Sequence, residues 1–151
     1  MPGKTFRFSL QSVLDLRRHE AERAEQALTQ AVQARRAHEA TVADAQARLD
    51  GLYAALYATA LGPVALRRRT SHLNAARCAL RDAEQGLEVA QRCEDDARRT
   101  LFEARRHLEA LVTLRQGEAD RHRQAHAAAE AAFLDEQAVI GYSRNRLAAH
   151  G

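Results

Sequence analysis

Apolar residues return along this chain at intervals of seven. From Leu14 the positions Ala21, Leu28, Arg35, Val42, Leu49 and Leu56 follow, and Leu10, Arg17, Ala24, Ala31, His38, Ala45 and Leu52 stand four residues before them. A second series runs through Leu66, Leu73, Leu80, Leu87, Glu94, Leu101 and Leu108, with Ala76, Ala83, Ala90, Ala97, Ala104 and Leu111 three residues after all but the first. Heptads sustained this long, in two segments, predict coiled-coil helices. Leucine on one side of each seam and alanine on the other would let the helices approach closely. Arg35 and His38 interrupt the first stripe and are expected to extend their polar heads to its edge. Glu94 is a flaw in the second, costly if it is fully buried.

One break divides the chain. The stretch YATALGPVALRRRTS holds the only internal proline. Gly62 can take a left-handed position after a helix, and Pro63 disfavours helix at the residue before it. The pattern therefore predicts helices over about 9–60 and about 66–148 with a turn at about 61–65. Ser9 is a candidate N-cap for the first. Thr70 or Ser71 would give the second a later start, extending the turn to about 70. A connection this short makes the helices antiparallel neighbours, with Leu28 near Leu101 and Leu10 opposite about 112–118. The expected fold is all-α: a long antiparallel two-helix coiled-coil hairpin, one domain over 1–151, with the second helix overhanging.

The overhang follows from the lengths. Fifty helical residues reach roughly 75 Å and eighty reach roughly 120 Å. Beyond Leu111 the stripe shifts to Val112, Ala119, His126, Phe133, Ile140 and Leu147, offset by four from Leu108, the mark of a stutter. Phe133, Ile140 and Leu147 are larger than the alanines behind them and have no expected partner within the chain. An isolated amphipathic helix is marginal in water, so this segment either frays or packs on something else. Arg144 and Arg146 near its end suit a helix C-terminus and are candidates for pairing with a partner's carboxylates.

At the start, Phe6 and Phe8 alternate with Arg7, an extended pattern. They either fold back on the helix start or meet a partner. Arg17, Arg18 and Arg23 follow beside Glu20, Glu22 and Glu25, charges that partly compensate one another on a face expected to be solvated. Arg67, Arg68 and Arg69 form the most basic point in the chain, suited to a solvated turn or to an acidic surface.

Composition narrows the function. Among 151 residues only 5% are aromatic, there is no tryptophan, and alanine dominates the apolar share. Alanine favours helix and brings little area to a core, so a compact globular domain is disfavoured. A net charge of +3 with no dense basic stripe or stacking aromatics argues against nucleic acid. Cys78 and Cys93 match no disulfide framework or metal-ligand spacing. No signal-peptide order is present and no apolar run nears the ~20 residues of a membrane span, so a cytoplasmic protein is expected.

Candidate chemistry adds nothing. There is no glycine-rich phosphate loop. His122 and His126 share a helical face, with His19 expected nearby, but no HExxH, cysteine or convergent carboxylate set accompanies them, so no metal site is expected. Glu94–Arg98 and Asp95–Arg99 in CEDDARR are i,i+4 pairs on a solvated face. Two paired helices lack the enclosed pocket that catalysis, a cofactor or a small-molecule ligand needs. A non-enzymatic protein without cofactor is expected.

A resemblance sharpens this. The opening FRFSLQSVLDLRRHEAERAEQAL resembles the start of the FliJ family of small coiled-coil proteins of flagellar export. Phe6, Phe8, Leu10, Gln11, Val13, Leu14, Arg17 and Glu20 carry the pattern, and Leu134, Asp135, Glu136 and Ala138 fit the family's late LDE.A segment. Length and two-helix layout agree across essentially the whole chain.

The resemblance implies a stalk-like antiparallel coiled coil of the flagellar export apparatus. It implies binding to the hexameric export ATPase, contact with the membrane-embedded export gate, and help in substrate-chaperone traffic. It implies a place in the cytoplasm, peripherally associated with the cell membrane at the flagellar base, and a contribution to motility and chemotaxis. Under it, Phe6, Phe8, Arg17, Arg18, Phe133, Ile140, Arg144 and Arg146 are the partner-binding candidates, and Arg67, Arg68 and Arg69 a separate tip patch. The equivalent stalk of a needle-type injection system and a generic coiled-coil scaffold are the alternatives that sequence leaves open.

Overall fold

The computed structural model describes residues 5–58, 60 and 62–148, with backbone only at 147 and 148. Two helices pack against each other, α1 over Gln11–Tyr57 and α2 over Pro63–Ala148, and no strand occurs among the described residues. This is the expected all-α hairpin. Leu61, where the turn was expected to begin, lies outside the described residues, as does the side chain of Leu147.

The helix ends differ from expectation in informative ways. The first α-helical hydrogen bond of α1 runs from the Leu14 amide to the Leu10 carbonyl at 2.9 Å, so Leu10 rather than Ser9 holds the cap position. The Gln11 amide closes a turn onto the Phe8 carbonyl at 3.3 Å. Gly62 is not left-handed, since no described glycine has a positive φ. Its carbonyl instead accepts from the Leu66 amide at 3.0 Å, making Gly62 the N-cap of α2 and Pro63 its first residue. Proline is well suited there, because its fixed φ is helical and the amide it lacks would have no partner. Hence α2 starts before 66, and well before Thr70 or Ser71. The Thr70 hydroxyl donates to the Leu66 carbonyl at 2.7 Å inside the helix, a back-bond and not a cap.

The residues assort into two compact units, one of Met1–Arg18 with Arg106–Gly151 and one of His19–Arg105. They are called here the terminal unit and the hairpin unit.

In the hairpin unit the helices run antiparallel, shown by pairs that step down α2 as they step up α1: Glu25 with Arg105, Arg35 with Glu94, Tyr53 with Arg77. The buried apolar side chains are the heptad positions Ala21, Ala24, Leu49, Leu73, Ala90 and Leu101. Cys78 and Cys93 are free and exposed, off the seam as the heptad requires. The thin leucine–alanine seam brings the helices close: a Cβ on Gly86 would meet the His38 ring at 3.0 Å.

Glu94 is not a flaw. It is only 3% exposed, yet its carboxylate accepts from both Arg35 of α1 and Arg98 of α2, and Arg35 also reaches Glu39. The two interruptions of the heptads thus meet and satisfy each other, which a buried charge requires. Seven residues back from Arg35 is Leu28, and seven on from Glu94 is Leu101. The ion pair therefore lies in the register that sets those two leucines opposite one another. The Arg35 guanidinium is raised above its ordinary pKa by the Glu94 hydrogen bond first, with Glu39 adding to this and desolvation opposing it. Beyond Glu94 the CEDDARR face is solvated, but Asp95 pairs with Arg98 at 3.6 Å and Asp96 with Arg99 at 3.5 Å, not Asp95 with Arg99.

In the terminal unit the core is small. Leu14 is 0% exposed and Phe8 7%. The chain before α1 is non-helical, as the alternating aromatics predict, and it turns Phe8 inward. Phe6 is half-buried with its ring against His122, centroids 5.7 Å apart at 58°. On α2, residues 117–120 and 122 are half-buried, a few residues beyond the shift of register placed after Leu111. From Arg123 to Arg146 every described side chain is exposed.

Candidate functional site

The candidate residues fall into three environments. At the start of the terminal unit, the fold-back expected of the two phenylalanines holds for Phe8. Phe8 is consumed by the core beside Leu14. Phe6 is half-buried and lines two shallow clefts, one with Arg7 and Arg115 and one with Arg7, Glu118, Arg121 and His122. Arg17 is half-buried, and Arg18 sits 3.7 Å from Asp15 in an exposed i,i+3 pair of small energetic weight.

The second environment is the exposed stretch of α2. Phe133 is 59% and Ile140 43% exposed, and Leu134, Val139 and Tyr142 are exposed with them. Heptad reasoning identified the first two, which share one face of the helix; the other three lie about 100° or more around the helix from them. Ala129, Ala132, Phe133, Asp135, Glu136 and Val139 line one shallow groove along it. Arg144 and Arg146 are exposed near the end, Arg146 in the last turn where a cation complements the helix dipole.

The third environment belongs to the hairpin unit, where the triplet of arginines divides. Arg67 and Arg68 are exposed. Arg69 is half-buried and its guanidinium donates to the Ala55 carbonyl near the end of α1. The last carbonyls of a helix have no intrahelical partner, so Arg69 serves the connection itself and leaves Arg67 and Arg68 as the outward charges.

The three candidate histidines each have another neighbour: His122 meets Phe6, His126 lies 3.3 Å from Glu130, and His19 lies 3.2 Å from Glu22. Among the described residues no three His, Cys, Asp or Glu side chains converge on a point where a metal could sit. No helix among them is long and apolar enough to cross a membrane. The Phe6–His122 stack and the Arg35–Glu94 pair escaped the reading of the sequence, although the register it assumed placed each pair at about the same level.

Two antiparallel helices, with no strand among the described residues, define an all-α helical hairpin. The family model described as Flagellar FliJ protein matches residues 6–147, from the first of the paired phenylalanines to the last residue of the shifted stripe. The chain belongs to the FliJ family. It is thereby a component of the flagellar protein export apparatus, in a family that is non-enzymatic. No curated protein and no solved structure matches it.

Proposed function

We infer that this chain binds the hexameric export ATPase through the exposed stretch of α2, links that ATPase to the membrane-embedded export gate, and assists the passage of substrate chaperones. The observation that carries this reading is the run from Arg123 to Arg146 in which every described side chain is exposed, yet Phe133 and Ile140 keep the seven-residue apolar spacing. Apolar side chains of this size, buried at a partner surface, each contribute more than about 1 kcal/mol. Membership of a flagellar export family supplies the partner class. Arg144 and Arg146 meet carboxylates of the ATPase, and the half-open face of Phe6 adds to the same surface. Arg67 and Arg68 serve a different contact, with the gate the leading candidate. The protein acts peripherally at the inner face of the cell membrane at the flagellar base, and its loss impairs motility.

The test is a pull-down with the export ATPase. The Phe133→Ser/Ile140→Ser variant should lose binding with an unchanged melt, and Arg67→Ala/Arg68→Ala should keep it. The reverse pattern would move the ATPase contact to the arginines and sink this assignment.

A further inference from the structure

Toward the end of the exposed stretch of α2, Glu136 and Arg144 stand eight residues, about two turns, apart on the helix face that also carries Phe133 and Ile140. Neither forms an ion pair with another described residue. Phe133 and Ile140 are both exposed. Gly141 has open space where a Cβ would stand, so another backbone can come close there.

A second helix of the same sequence responds to that order in only one direction. Laid parallel and in register, it sets acid against acid and arginine against arginine. Laid antiparallel, it sets Glu136 of each copy against Arg144 of the other, and Ile140, midway between Glu136 and Arg144, meets itself on the two-fold axis. The surface is thus self-complementary in the way a two-fold dimer requires, and charge complementarity selects the occupant.

We propose that two copies of this chain associate antiparallel through the exposed stretch of α2, with the axis near Ile140. A seam of one helix pair this short falls below the ~1,200 Å² of a permanent interface. The dimer is therefore weak and reversible, and it covers Phe133 and Ile140 until another protein displaces the second copy. This needs no partner from the export apparatus, so its test stands apart from that of ATPase binding.

Sedimentation equilibrium of the full chain should show the mass rising from one chain toward two as concentration increases from about 1 μM to about 1 mM. Arg144→Glu and Glu136→Arg should each weaken self-association at least about tenfold, since like charges then face each other. An equimolar mixture of the two variants should recover association at or above that of the parent. Circular dichroism confirms that both fold, because the replaced side chains support no other contact. In a Cys78→Ser/Cys93→Ser background, Ile140→Cys should form a disulfide-linked dimer on mild oxidation and Phe133→Cys should not. A monomer at every concentration overturns the proposal and leaves the face to a different protein. So does self-association of both charge variants at the parent's strength. Cross-linking of Phe133→Cys as readily as Ile140→Cys overturns the antiparallel arrangement.

Discussion

Leu14 and Leu16 offer a sharp test of which residues hold the terminal unit together. They stand two apart in sequence and are chemically identical, yet Leu14 is 0% exposed and Leu16 56%. Replacing Leu14 by alanine removes three buried carbon groups at about 0.8 kcal/mol each, or roughly 2.4 kcal/mol of transfer free energy. The cavity adds to this, but a core made chiefly of Phe8 and Leu14 can collapse around the gap, so the total should stay near the lower end of the ~2–5 kcal/mol range. Leu16→Ala should cost less than about 1 kcal/mol. The measurement is urea unfolding of both variants by circular dichroism. Amide hydrogen exchange over residues 11–18 should accompany it, because a small unit can open locally without the global transition reporting it. Faster exchange and a lower midpoint are expected for Leu14→Ala alone. Equal behaviour of the two variants would refute the inward packing of Phe8 and Leu14, and with it the register at the start of α1.

The remaining predictions concern the hairpin unit. Replacing either Arg35 or Glu94 singly with an apolar residue should lower the melting temperature, because each leaves its counterpart unsatisfied. The double variant Arg35→Met/Glu94→Leu should recover most of the loss or exceed the parent, and strictly additive losses would mean the pair is not formed. Gly51→Ala should stabilise by about 0.5–1 kcal/mol in a denaturant titration, since nothing lies within 4 Å of the added Cβ and alanine is the better helix former. Destabilisation there would reveal a neighbour at that face. Cys78 and Cys93 should both react with a thiol reagent in the native protein, and their serine variants should melt like the parent. Protection of either would place it in the seam.

The sequence by itself determined the helices, their antiparallel pairing and the faces they bury. All three follow from a seven-residue periodicity written in leucine and alanine and from one proline, which are local and repetitive signals. It also determined family membership, because the paired phenylalanines and the late LDEQA segment stand at the expected ends of a two-helix chain. The tertiary structure decided what two residues far apart do to each other. Arg35 and Glu94 each read as a defect in its own helix and become a satisfied pair only when the helices meet, because the energy of a buried charge depends on its neighbour and not on its own periodicity. Gly62 read as a terminator and is a cap, because the carbonyl it presents to α2 is fixed by backbone geometry that composition does not encode. Phe6 and Phe8 look equivalent in the sequence. Only packing against α2 turns Phe8 into core and leaves Phe6 half-open against His122. Burial is set by what lies opposite, and residues so distant along the chain come together only in the folded protein.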